Sequence, residues 1–101
     1  MEVIEFQKLC SLIARKIDKD KSIVRDGQFC ISQLVEELGE LAKEVNREKL
    51  RGIKPKKAEL EDEFADVVFL LFDLVEYCDV DIEKAVLTKI ETLKKRFPNI
   101  K

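Results

Sequence analysis

Two acidic stretches carry the residue types most suited to chemistry: Glu36-Glu37-Leu38-Gly39-Glu40 and Glu63-Phe64-Ala65-Asp66. On a helix turning 100° per residue, Glu37, Glu40 and Glu44 run along one edge of an apolar stripe, with Glu36 just outside. On the later segment Glu63 lies at the edge of the stripe, Asp66 further round and Asp73 two turns on. If the two segments pack antiparallel through their stripes, the acidic edges face each other around one small volume. Like charges at these spacings oppose helix formation, and partial burial raises the cost and the carboxyl pKa values. A cation offsets that cost. An oxygen-only donor set points to a hard ion, Mg²⁺ or Mn²⁺, rather than zinc. The chemistry such a set supports is attack of an activated water on phosphorus, with charge on the phosphate oxygens neutralised.

The absence of histidine narrows the field further. It excludes a Ser-His or Cys-His nucleophile pair, His-ligated zinc and a His general base. The acidic residues also have structural readings. Glu36, Glu40 and Glu44 beside Lys43, Arg47 and Glu48 match a solvated helix face with i,i+4 pairs. Asp66 resists that reading, because it sits inside Phe64-Ala-Asp-Val-Val-Phe-Leu-Leu-Phe and must find a metal, a basic partner or a cap. Asp73 is similar but nearer the end of the apolar run. Glu59, Glu61 and Asp62 suit the positive end of a helix dipole. Lys89, Lys94, Lys95 and Arg96 near the chain end either match a helix C-terminus or contact phosphate, and Arg25 offers a weaker case for phosphate contact.

Four amphipathic helices would position these groups. Val3, Phe6, Leu9, Cys10, Ile13 and Ile17 recur at steps of three and four and predict a helix over 2–17. Residues 18–27 read as a polar loop. Ile31, Leu34, Val35, Leu38, Leu41, Ala42 and Val45 predict a helix over 28–50, with Gly52 after it and Pro55 before the next. The third helix is expected over 56–78, and from Phe64 to Val75 ten of twelve residues are apolar. Asp81 is the N-cap candidate for a fourth helix over 82–97, which Pro98 ends. The expected fold is therefore all-α: a four-helix bundle-like chain with long, antiparallel second and third helices. The third helix shows two apolar faces, one with Leu60, Phe64, Val67, Leu71, Leu74 and Cys78, the other with Ala65, Phe69 and Phe72. One chain of this length can hardly cover both, so completion by a homodimer or dimer of dimers is expected.

Bulk composition agrees. The 101 residues make one domain, 1–101, since a second would leave neither half a core. The chain is 46% hydrophobic and 40% charged, with three Gly and two Pro, which favours long helices over hairpins. A net charge of −2 carries no bulk signal for nucleic acid. The longest apolar run, Val67 to Phe72, cannot span a membrane, and the N-terminus lacks a signal-peptide layout. Cys10, Cys30 and Cys78 are odd in number and widely spaced, which reads as reduced and mostly buried thiols in a cytoplasmic protein.

At its acidic stretches the sequence resembles the MazG-like nucleoside triphosphate pyrophosphohydrolases of the all-α NTP pyrophosphatase superfamily. Their pattern, E-E-x-x-E, a variable spacer and E-x-x-D, stands here as Glu36-Glu37-x-x-Glu40, a 22-residue spacer (residues 41–62) and Glu63-x-x-Asp66. Lys95-Arg96-Phe97-Pro98 is similar to the family's basic-aromatic-Pro ending, and the likeness runs over about residues 28–98. The resemblance implies Mg²⁺-dependent cleavage of an NTP or dNTP between the α and β phosphates, giving a nucleoside monophosphate and pyrophosphate. By position it makes Glu37, Glu40, Glu63 and Asp66 metal ligands. Glu36 becomes a further ligand or the residue that orients or deprotonates water; Lys89, Lys95 and Arg96 are expected as substrate contacts from their clustered charge on the last helix. The Lys-x-x-x-Asn pair of some relatives stands here as Lys89 and Leu93. Such a family also implies sites shared between subunits. Two other functions stay open: phosphoribosyl-ATP pyrophosphohydrolase, and a non-catalytic helical oligomer that binds nucleotide or metal.

Overall fold

The computed structural model describes residues 1–99, and its regular structure there is entirely helical. Five helices follow one another: α1 (Val3–Asp20), α2 (Gly27–Val45), α3 (Arg47–Arg51), α4 (Lys57–Tyr77) and α5 (Ile82–Arg96). The all-α class and the two long central helices agree with the apolar periodicity. The boundaries differ at two places, for reasons of local chemistry.

The first helix continues three residues beyond its apolar stripe. Its end is a Schellman motif: Ser22 takes the left-handed conformation, its N–H donates to the Lys19 carbonyl, and the Ile23 N–H donates to the Asp18 carbonyl. That closure makes the connection to α2 shorter than the polar composition predicts. The second helix stops early, at Asn46, and a single further turn follows as α3. The Asn46 side-chain amide donates to the Ala42 carbonyl at 2.9 Å and competes there with the regular backbone ladder. Gly52, left-handed at φ +68°, ends α3. Asp26 caps α2 by accepting from the Phe29 N–H, and Asp81 caps α5 by accepting from the Lys84 N–H, as its sequence position predicts.

Helix α4 is the centre of the fold, packed against α1 on one side and α2 on the other. The α2–α4 pair is antiparallel: Gly27 at the start of α2 meets Tyr77 at the end of α4, while Arg47 just beyond α2 meets Glu59 in the first turns of α4. A Cβ at position 27 would stand 3.0 Å from the Tyr77 ring, so glycine permits this close approach. Helix α5 docks on α1. The buried Gln7 of α1 ties that corner together, donating to Glu76 and to the Val80 carbonyl and accepting from the Ile82 N–H. Phe6 and Phe72 meet edge to face across α1 and α4.

The core of the single chain is small. Among the described apolar residues only Cys10, Ala14, Cys30, Leu34 and Val75 are buried. Most of the predicted α2 stripe remains open, with Val35 at 61% and Ile31 at 45% exposed, and so does Phe64 on α4 at 51%. Cys78, expected with the buried thiols, is exposed because it occupies the C-cap of α4, where the chain turns outward. The Cα radius of gyration is 16.5 Å, against about 13 Å for a compact domain of this length.

Candidate metal centre

The α2–α4 seam carries the site because antiparallel packing sets the edge of one helix beside the edge of the other. One carboxylate oxygen each from Glu37, Glu63 and Asp66 lies within 4.8 Å of the others. Glu63 Oε2 is buried without a hydrogen-bond partner, and none of the three forms an ion pair among the described residues. Burial, and then the mutual repulsion of these acids, pushes Glu37 and Glu63 above the usual carboxylate range. Asp66 is raised by burial first and by the charge of Asp62 second. Oxygen ligands about 2.1–2.5 Å from a hard cation lie about 4–5 Å apart when opposite each other. The trio therefore fits around one Mg²⁺-, Mn²⁺- or Ca²⁺-type ion, and the orphaned oxygen of Glu63 gives such an ion a buried acceptor to satisfy.

The other expected site residues lie outside this trio. Glu40 is one turn along α2, close enough for its charge to raise both Glu37 and Glu63, and its carboxylate pairs with Lys43 at 3.4 Å. Glu36 is exposed on the outer side of α2. Lys89, Lys95 and Arg96 are exposed on α5, which packs on α1.

Asp73 answers the question that the apolar run poses for its two acids, and answers it differently from Asp66. It is completely buried and accepts from Arg15 at 2.7 Å, with Arg25 at 3.6 Å and the Cys30 thiol at 3.7 Å. Asp18, also buried, accepts two hydrogen bonds from the Arg25 guanidinium and one from Arg15. The hydrogen bonds from Arg25 hold the Asp18 carboxyl below its ordinary range despite burial. Arg25 thus belongs to a structural ion network, where it also stacks on Phe29, and not to a phosphate site. Arg15 and Gln7 escape a reading by hydropathy, since both look like outer-face residues of α1. The compensating signal is the pair of acids, Asp18 and Asp73, which a buried seam obliges to find cations.

Further along the seam, Glu44 and Glu59 converge on Arg47, at 3.6 Å and 2.9 Å. The seam therefore alternates in character: an arginine–aspartate network at one end, an uncompensated carboxylate trio in the middle, and a mixed-charge cluster at the other end. Among the described residues, the middle section is where several acids stand together without an ion pair.

The uncharacterized protein YpjD of Bacillus subtilis (strain 168) is 37% identical over 95 aligned positions, which cover 82% of this chain and 84% of that protein. No solved structure matches the chain. Residues 25–101 match the MazG nucleotide pyrophosphohydrolase domain, a span that includes both acidic stretches and the whole α2–α4 seam. The chain belongs to the MazG nucleotide pyrophosphohydrolase family.

Proposed function

We propose that this protein is a divalent-metal-dependent nucleoside triphosphate pyrophosphohydrolase, cleaving NTPs or dNTPs between the α and β phosphates. The observation that carries the reading is the meeting of Glu37, Glu63 and Asp66 within 4.8 Å, with Glu63 Oε2 buried and unpartnered. A bound Mg²⁺ or Mn²⁺ supplies Lewis-acid polarisation of the phosphate oxygens and a more acidic water. The trio holds the cation and fixes it against the rigid seam. Glu40 completes the ligand set by a rotamer change away from Lys43, which costs little for an exposed pair. Glu36, on the solvent side, orients the attacking water and accepts its proton. Lys89, Lys95 and Arg96 contact phosphate from α5.

The working form is a homodimer or dimer of dimers. The accessible surface of the chain is 7943 Å² for 11.7 kDa, whereas a compact monomer of that mass exposes about 5,900 Å². The excess, about 2,000 Å², is the size of a large protein–protein interface per subunit. It includes an apolar groove of about 520 Å³ lined by Phe6, Cys10, Phe64, Ala65, Val68 and Phe69, which a second copy of the chain would cover.

Incubating the purified protein with a panel of NTPs and dNTPs and Mg²⁺, with product identification, tests the activity. A nucleoside monophosphate plus pyrophosphate is expected. A nucleoside diphosphate plus phosphate contradicts the reading, and absence of turnover with every nucleotide favours a binding module.

A further inference from the structure

Apart from Glu40, the mixed-charge cluster beyond the carboxylate trio has no role in the scheme above. It surrounds a cavity of about 280 Å³ lined by Glu40, Lys43, Glu44, Arg47 and Arg51. We propose that Arg47 and Arg51 bind the pyrophosphate end of the metal-bound polyphosphate in this cavity. The proposal rests on the reading of the trio as the metal centre and adds the residues that receive the leaving group.

Position comes first. Glu40 belongs to the cavity wall, and its charge already acts on two of the trio. On the opposite helix, Arg47 pairs with Glu59 at 2.9 Å. Glu59 precedes Glu63 by four residues, about 6 Å along α4. The arginine cluster is thus one helical turn from Glu63 along α4 and about two turns, about 10 Å, from Glu37 along α2, with Glu40 between them, a span that a triphosphate chain and an arginine side chain bridge together when the reacting phosphorus lies at the metal.

Orientation follows from the break at Asn46. Arg47 and Arg51 stand at i and i+4 on α3 and share a face. Glu44 and Glu59 hold the Arg47 guanidinium, which pre-organises it. Arg51 enters no ion pair among the described residues. Guanidinium groups match phosphate oxygens in pairs, so two arginines on one face suit a diphosphate.

The balance of charge selects the ligand. A free polyphosphate is repelled by Glu40 and Glu44, and a lone cation is repelled by Lys43, Arg47 and Arg51. A magnesium–polyphosphate complex presents both signs and matches both halves of the wall. Glu44 Oε2, buried in the same cluster and 3.6 Å from the Arg47 guanidinium, has no hydrogen bond, so waters carried by such a ligand can donate to it.

Calorimetric titration with tripolyphosphate in the presence of Mg²⁺, and with Mg²⁺ alone, tests the subsite without relying on turnover. Arg51→Ala is the primary variant because Arg51 supports no other side chain; Arg47→Lys keeps charge but loses the planar fork. Each is expected to weaken magnesium–tripolyphosphate binding about tenfold, the scale of one charge-assisted hydrogen bond, with affinity for Mg²⁺ alone unchanged. Wild-type protein that does not bind the complex, or an Arg51→Ala variant that binds it within about threefold of wild type, overturns the proposal. If nucleotides are not hydrolysed but tripolyphosphate binding still depends on Arg51, the pyrophosphohydrolase reading fails and the subsite stands. If hydrolysis proceeds and that dependence is absent, the subsite alone fails.

Discussion

Asp66 and Asp73 lie seven residues apart in the same apolar run, yet the fold gives them opposite surroundings. Asp73 meets Arg15 and Arg25, whereas Asp66 meets Glu37 and Glu63 and forms no ion pair among the described residues. An acid with no internal partner is the one available to an external ion. Replacing Asp66 by Asn, or Glu63 by Gln, removes a charged ligand while preserving shape. Turnover should fall at least about a hundredfold, with the helical circular dichroism unchanged; retained activity in Asp66→Asn would remove that residue from the centre. The raised acids also predict how a cation acts on stability. A carboxyl whose native pKa exceeds its unfolded value makes the metal-free protein lose stability as pH rises through that interval. Mg²⁺ binds the ionised form and removes the penalty. Its stabilising effect should therefore be smaller at pH 5 than at pH 7.5, reaching about 2.7 kcal/mol when free Mg²⁺ is a hundredfold above its Kd. Thermal melts with and without Mg²⁺ at matched ionic strength measure this, and equal shifts at the two pH values would contradict it.

At the scale of elements, the seam works because its two ends are clamped and its middle is not. The network of Asp18, Asp73, Arg15 and Arg25 joins the end of α1, the loop before α2 and the last turns of α4. Asp18 has a depressed native pKa, so its contribution is complete above its unfolded value, near 4, and is lost as pH falls through the native one. Asp18→Asn should cost about 3 kcal/mol at pH 7, since it leaves Arg25 buried with half its partners. The difference from wild type should stay level from pH 7 to 5 and shrink below pH 4. Urea unfolding at these pH values checks it, and equal stability at pH 7 would mean the network is not clamping. These elements also mark what hydropathy can reveal. The periods of three and four locate α1, α2, α4 and α5, and the cap Asp81 is visible because its chemistry is local, whereas Asp26, the cap of α2, is lost within a run of polar loop residues. The extension of α1 and the break at Asn46 depend on hydrogen bonds among polar residues, to which an apolar period is blind. The two acidic motifs were legible for a related reason: acids beside an apolar stripe conflict with burial, and the conflict shows in the sequence. Arg15 was not legible, because its partner is 58 residues away.

For the whole molecule, periodicity identifies apolar faces without saying which chain covers them. The open stripe of α2 and the groove around Phe64 and Val68 illustrate the difference, since a face that looks like core can be the inside of an interface. A single chain with so few fully buried apolar residues has little to offset the conformational entropy of ordering about a hundred residues. The long helices should then owe much of their stability to association, which makes folding concentration-dependent. Val68→Asp places a charge in the groove between Phe6 and Phe64 without touching Glu37, Glu63 or Asp66. Within the single chain Val68 is 40% exposed, so the substitution should be tolerated there at a cost within about 1 kcal/mol. Buried against a second copy, an unpaired carboxylate costs several kcal/mol per subunit. Analytical ultracentrifugation should therefore show the wild type as a dimer or tetramer and the variant shifted towards monomer by at least a hundredfold in dissociation constant, roughly 2.7 kcal/mol. The variant should also unfold at a lower temperature when diluted, whereas a wild type that sediments as a monomer at every concentration would require another explanation for the open groove.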